Sequence, residues 1–202
     1  DHNEIALKAR QVARLFLDNY GRPKTVKLRF ESEPDRFYNV RFSGNLPVEK
    51  IAYTAKFSLM LTAYDPFAKS VVQAGEDVIM NSDVSILSDF PLDSMYVYTV
   101  TSNQVITIFN SGSLTVRPNI TITGSATAVN VAANGKYFRI RNISGQTYVV
   151  SCDNYTVTRN GVNSLSELVG DFIELFPGNN NISVYGDALN VSISVQFYNQ
   201  FI

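Results

Sequence analysis

From Met95 to Tyr198 the chain is a close succession of short segments in which apolar and polar residues alternate, and that period of two commits it to β-sheet. The segments are Met95–Thr101, Gln104–Phe109, Asn119–Thr123, Ala126–Ala132, Lys136–Ile143, Thr147–Cys152, Thr156–Arg159, Asn181–Tyr185 and Val191–Tyr198. Turn residues separate them. Asn134-Gly135 and Asn160-Gly161 are tight-hairpin signals, because both central residues of a type I′ turn need positive φ. Many short strands at this spacing predict a sandwich or jelly roll. The sequence shows no internal repeat, low-complexity linker or heptad.

The first third has a different grammar. Asp1-His2-Asn3-Glu4 has capping-box spacing, and Glu4–Asp18 predicts an amphipathic helix with Ile5, Ala9, Val12, Ala13 and Phe16 on one face, ended by Gly21-Arg22-Pro23. Val26–Glu31 and Arg36–Phe42 read as strands, with Glu31-Ser32-Glu33-Pro34-Asp35 as the turn between them. Gly44-Asn45-Leu46-Pro47 leads into Val48–Tyr64, which reads as one long strand with a bend, a bulge or a projecting part. Unbroken, it would reach about 55 Å at roughly 3.3 Å per residue, more than a compact domain needs. Within it Phe57, Leu59 and Leu61 share a face, and Asp65-Pro66-Phe67 stops the strand because proline gives no amide proton to a ladder. Residues 71–93 read as a long connection.

The composition excludes more chemistry than it suggests. Formal charge is −1 over 202 residues, split as +3 over residues 1–66 and −4 over residues 67–202, so neither part has the basic surface that holds nucleic acid through phosphates. No run approaches the roughly 18 apolar residues of a membrane-spanning helix, and the expectation is a soluble protein made in a cytoplasm. Cys152, the only cysteine, lies in an apolar run and reads as a buried thiol; His2, the only histidine, sits at a terminus that frays, which argues against a histidine-based zinc site or triad. Glu76, Asp77 and Asp83 do not match a calcium loop and read as solvated acids. Asp171 and Glu174 are weighed as a glycosidase pair and set aside as a strand-to-turn segment. Five Asn-X-Ser/Thr triplets, at Asn119, Asn142, Asn154, Asn181 and Asn190, are read as unglycosylated. The 11 Tyr and 13 Phe fill a core first and stack sugars second, since Trp is absent.

Two groups of motifs together resemble the siphophage distal tail proteins (Dit). Glu33-Pro34-Asp35-Arg36-Phe37-Tyr38 with Ala63-Tyr64-Asp65-Pro66-Phe67-Ala68-Lys69-Ser70 is similar to the family's N-terminal domain. Pro118–Gly124, Thr156–Asn163, Gly170-Asp171-Phe172 and Leu175–Ile182 are similar to its C-terminal domain. The resemblance implies a homohexameric ring of N-terminal domains at the end of the tail tube, with an extended hairpin reaching the adjacent subunit, which would account for Val48–Tyr64. It implies a galectin-like C-terminal sandwich at the periphery and a channel for DNA through the ring. Family members carry strands ahead of the helix, so the chain reads as N-terminally truncated. A galectin sugar site uses histidine and tryptophan, which residues 104–202 lack, so the likeness transfers no lectin activity.

The expectation is therefore a mainly β protein of two β-sandwich domains with one N-terminal amphipathic helix, the second domain galectin-like. Residues 1–103 form the ring domain and residues 104–202 the sandwich, whose last strand is free to return to the first domain. The function expected is a non-enzymatic hub of the tail tip, joining the tail tube protein to the tail-associated fibre or lysin protein and to receptor-binding proteins, located in the virion and made in the bacterial cytoplasm. No catalytic, cofactor-binding or metal-binding residue is assigned, and no cofactor, sequence-specific nucleic acid or membrane insertion is expected. The alternative is a carbohydrate-binding or adhesin module, with a glycosidase or lyase third.

Overall fold

In the computed structural model, which describes residues 7, 8, 11, 12, 14–44, 48–51, 54–57, 59–76 and 95–202, both Asn-Gly pairs are the tight turns their chemistry requires. Asn134 and Gly135 have φ of 51° and 80°, Asn160 and Gly161 of 49° and 81°. The chain is mainly β and divides into two units, Asp1–Ala68 and Lys69–Ile202.

In the first unit residues 7, 8, 11, 12 and 14–16 are helical. Val12 and Phe16 are half-buried, as the amphipathic pattern requires, and Phe16 meets the Phe42 ring at 6.4 Å; Ile5, Ala9 and Ala13 lie outside the described residues. Asp18 closes the segment by accepting the backbone N–H groups of Tyr20 and Arg22 on Oδ1, with Gly21 at φ 75°. Then come β1 (Thr25–Phe30) and β2 (Glu33–Phe42), an antiparallel pair. The turn is narrower than expected, and Pro34 sits at the second place of β2, where a missing N–H costs the ladder least.

Val48–Tyr64 is not one strand. β3 (Val48–Ile51) and β4 (Thr54–Phe57) form an antiparallel hairpin of their own, from Val48 opposite Phe57 to Ile51 opposite Thr54. β5 (Leu61–Ala63) then pairs with the end of β2, where Ser43 donates its N–H to Met60 O at 2.9 Å. A single strand of that length would leave backbone groups without partners, and folding back lets the segment satisfy its own. Asp65-Pro66-Phe67 is the expected corner, and the division between the units follows it directly.

The division between the units falls within β6 (Ala68–Ser70), and from Met95 the strands of the second are β7 (Val97–Val100), β8 (Gln104–Asn110), β9 (Asn119–Ala133), β10 (Lys136–Ser151), β11 (Thr156–Arg159) and β12 (Val162–Asn163). After a 3-10 turn, Leu165–Glu167, come β13 (Val169–Gly170), β14 (Gly178–Asp187), β15 (Asn190–Gln196) and β16 (Gln200–Phe201). β7 to β15 make a nine-stranded sheet. Its centre is the long hairpin of β9 and β10; β15 lies along the first half of β9 and β14 along the second, in one continuous register. One arm thus runs β8, β14, β9, β10, β13 and the other β7, β15, β9, β10, β11, β12.

The arms meet at one row. Asn142 on β10 and Ala188, between β14 and β15, both fall opposite Thr127, and both have left-handed backbones, at φ 56° and 50°. In all three strands the alternation of buried residues slips there: Ile120, Ile122 and Ala126 give way to Val129, Val131 and Ala133; Phe138 and Ile140 to Ile143; Ile182 and Val184 to Leu189, Val191 and Ile193. A left-handed residue does not make the half-turn of a pleated one, so the strand changes direction while its apolar side chains stay with one core. All these residues belong to a single hydrophobic cluster shared by the two arms. The segments expected as Asn119–Thr123 and Ala126–Ala132, and as Lys136–Ile143 and Thr147–Cys152, are hence two strands rather than four.

Candidate functional site

The motifs that carry the family likeness stand on the framework of the second unit. Asn180, buried, receives the Phe176 N–H on Oδ1 at 2.8 Å and donates Nδ2 to Phe176 O and Gly178 O at 2.7 and 2.9 Å. One amide therefore holds the turn Phe176-Pro177-Gly178-Asn179, and Asn134 Nδ2 ties it to the β9–β10 hairpin at 2.7 Å. Gly170, at φ 118°, crosses β10 so closely that a Cβ would run into Tyr137 O, and Asp171 N–H bonds that same oxygen at 2.7 Å. Asn160 Oδ1 accepts Thr147 N–H at 2.9 Å, which joins its turn to β10.

A second amide network binds the ends of the unit together. Buried Asn110 donates Nδ2 to Leu114 O and Leu175 O and accepts Gly112 N–H. Asn199 Oδ1 accepts Ser111 N–H at 3.1 Å, while Ser70 and Asn199 exchange bonds, Ser70 N–H to Asn199 O and Asn199 N–H to Ser70 Oγ. The strand that opens the unit and the segment that closes it are thus laced to one loop. At the neighbouring edge Tyr96 hydroxyl donates to Phe109 O and accepts Phe109 N–H, so the free side of β8 is partly sealed.

The two carboxylates weighed as an acid–base pair have separate employments. Glu174 Oε1 lies 3.0 Å from Lys136 Nζ and 3.0 Å from Arg117 Nη2. The hydrogen bond from Lys136 holds its carboxyl below the usual range, desolvation opposes this, and Arg117 adds to it. A carboxylate kept ionised by two cations is a poor general acid. Asp171 contributes its backbone, and its side chain is exposed. Arg117 also lies over the Tyr155 ring at 5.2 Å, and Tyr155 meets Phe172 edge-on at 5.3 Å, so the group is a surface clasp. Cys152 is buried as expected, and burial pushes its thiol up to about 12. Among the described residues no three His, Cys, Asp or Glu converge as metal ligands; Asp77 and Asp83 lie outside them.

What the sequence reading missed are surfaces. In the first unit the described core is small, with Phe37, Val40 and Ala68 buried. Leu15, Met60 and Tyr64 are 62 %, 66 % and 75 % exposed there, together with Leu7, Tyr20 and Phe30. In the second unit Ala132, Lys136, Tyr137, Asn181, Ser183 and Tyr185 line a shallow cleft on the outward side of β9, β10 and β14. Alternation could have marked Tyr137 and Tyr185 as outward-facing, but only the register brings two residues 48 places apart in sequence to one face.

Residues 111–201 match the family described as the siphovirus-type tail component, C-terminal domain. No curated protein matches the chain.

Proposed function

We propose, because residues 111–201 match the siphovirus-type tail-component family, that this chain is a tail-associated structural protein and the hub of the tail tip. In this reading the first unit assembles as a homohexameric ring at the end of the tail tube, and the hairpin of β3 and β4 reaches the adjacent subunit. The second unit stands at the periphery as a galectin-like sandwich, its two arms closed over one core. The ring joins the tube to the fibre or lysin protein and carries receptor-binding proteins; it is built in the bacterial cytoplasm, belongs to the virion tip, and catalyses nothing.

The observation that carries the reading is the set of large apolar side chains that the first unit leaves open: Leu15, Met60 and Tyr64 are 62 %, 66 % and 75 % exposed, as residues that neighbouring copies cover would be. A closed ring also lets every subunit donate and receive the same interface. Light scattering on the protein tests this: a mass of about six chains is expected, and a monomer at high micromolar concentration contradicts it. Met60→Glu with Leu15→Glu should lower the mass to that of the 22.5 kDa chain while leaving the fold of the second unit intact.

A further inference from the structure

The cleft on the outward face of the second unit contains none of the residues assigned above to the proposed ring. Its floor is Ala132 and Ser183, opposite one another on β9 and β14. Its walls are Tyr137 and Tyr185, 45 % and 39 % exposed. Tyr137 is level with Ala132, and Tyr185 lies one same-face step beyond Ser183. Their backbones are therefore about 12 Å apart, from roughly 4.8 Å between strands and 3.4 Å per residue along them. Asn181 lines one end, with Oδ1 receiving the Thr107 hydroxyl at 3.1 Å. Lys136 lines the lip, and its ammonium is already matched by Glu174 at 3.0 Å.

These groups select a ligand class by elimination. β9 and β14 are each bonded on both sides, so the floor has no open backbone edge to which a peptide strand could add. Lys136, the cation that lines the cleft, is paired, so the lining itself offers no unmatched charge to a phosphate or a carboxylate. What remains is two flat rings over a floor of small side chains, with a neutral amide and a hydroxyl at hand. That combination fits a solute with C–H faces and a polar rim. A pyranose with equatorial hydroxyls has such a shape: both faces are C–H, and the hydroxyls point outward.

We propose that this cleft binds an uncharged, glucose-configured pyranose of a glycan chain, with a sugar face against Tyr137 or Tyr185 and ring hydroxyls at Asn181 and Ser183. The galectin likeness contributes nothing to this, because this unit holds neither histidine nor tryptophan; the cleft stands on its tyrosines. It is also independent of the ring, since none of its residues lies in the first unit.

Ligand-observed saturation-transfer NMR on the full chain, as monomer or assembly, tests it with maltotriose, cellotriose and tri-N-acetylglucosamine as probes. Saturable transfer to at least one of them at millimolar concentration is expected, strongest at ring C–H protons. Tyr137→Ala and Tyr185→Ala should each weaken binding about tenfold, and circular dichroism should show the fold unchanged, both side chains being exposed. No saturable transfer to any of the three sugars at up to about 50 mM, a range that reaches the weakest useful affinities, overturns the proposal. So does transfer that survives both substitutions, which would put the sugar elsewhere on the molecule.

Discussion

Asn180 gives one side chain to the Phe176 N–H, the Phe176 and Gly178 carbonyls and the Asn134 amide. Asn180→Ala leaves those groups unpartnered in a buried place, and the second unit should lose about 2–3 kcal/mol in urea unfolding. Glu174 acts nearer the surface. Its carboxyl is held below its ordinary value by Lys136 and Arg117, so the ionised folded state is favoured above the unfolded pKa, and this contribution is lost as pH falls through the folded one. Unfolding midpoints of wild type and Glu174→Gln should therefore differ by about 1 kcal/mol at neutral pH and converge in acid, a difference that stays constant with pH counting against the ion pairs as its cause. Cys152, with its thiol at about 12, should react with a disulfide reagent only as fast as the unit unfolds. The buried thiol was legible in its apolar run. The turn-holding role of Asn180 was not, because nothing in Phe-Pro-Gly-Asn-Asn-Asn says which of three asparagines turns inward.

At the scale of elements, the left-handed row decides the shape of the second unit. Ala188 is an L-residue at φ 50°, so Ala188→Gly should relieve strain and stabilise by about 0.5–1 kcal/mol. Gly170→Ala should do the opposite, by about 3 kcal/mol or more, since φ 118° suits only glycine and the new Cβ meets Tyr137 O. Thermal unfolding checks both. Most strands of this unit were readable from alternation, and both Asn-Gly turns from residue type. The long strands were not, because Gly124-Ser125 and Ser144-Gly145-Gln146 have the residue types of turns, and only pairing across the strands tells a bend from a break. Val48–Tyr64 failed for the converse reason. Alternation there is compatible with one strand or with two folded on each other, and backbone pairing chooses the hairpin.

For the whole molecule, stability should follow the distribution of core. Amide exchange of the second unit should be slow throughout β9, β10, β14 and β15, whereas β1, β2 and β5 should exchange quickly in dilute protein and become protected at concentrations where the mass rises. Equal protection of the two units in the monomer would mean that the first needs no neighbours. The same division sets what a sequence can disclose about function. The residues behind the family likeness are turn-makers such as Asn180 and Gly170, which identify an architecture, while the surfaces that would meet a partner or a sugar depend on register and exposure. Electron microscopy of intact phage particles labelled with an antibody against the second unit tests the tail-tip assignment. Label should be confined to the distal end of the tail tube, in several copies around it; label on the capsid, along the tube, or absent from the particle would refute the assignment.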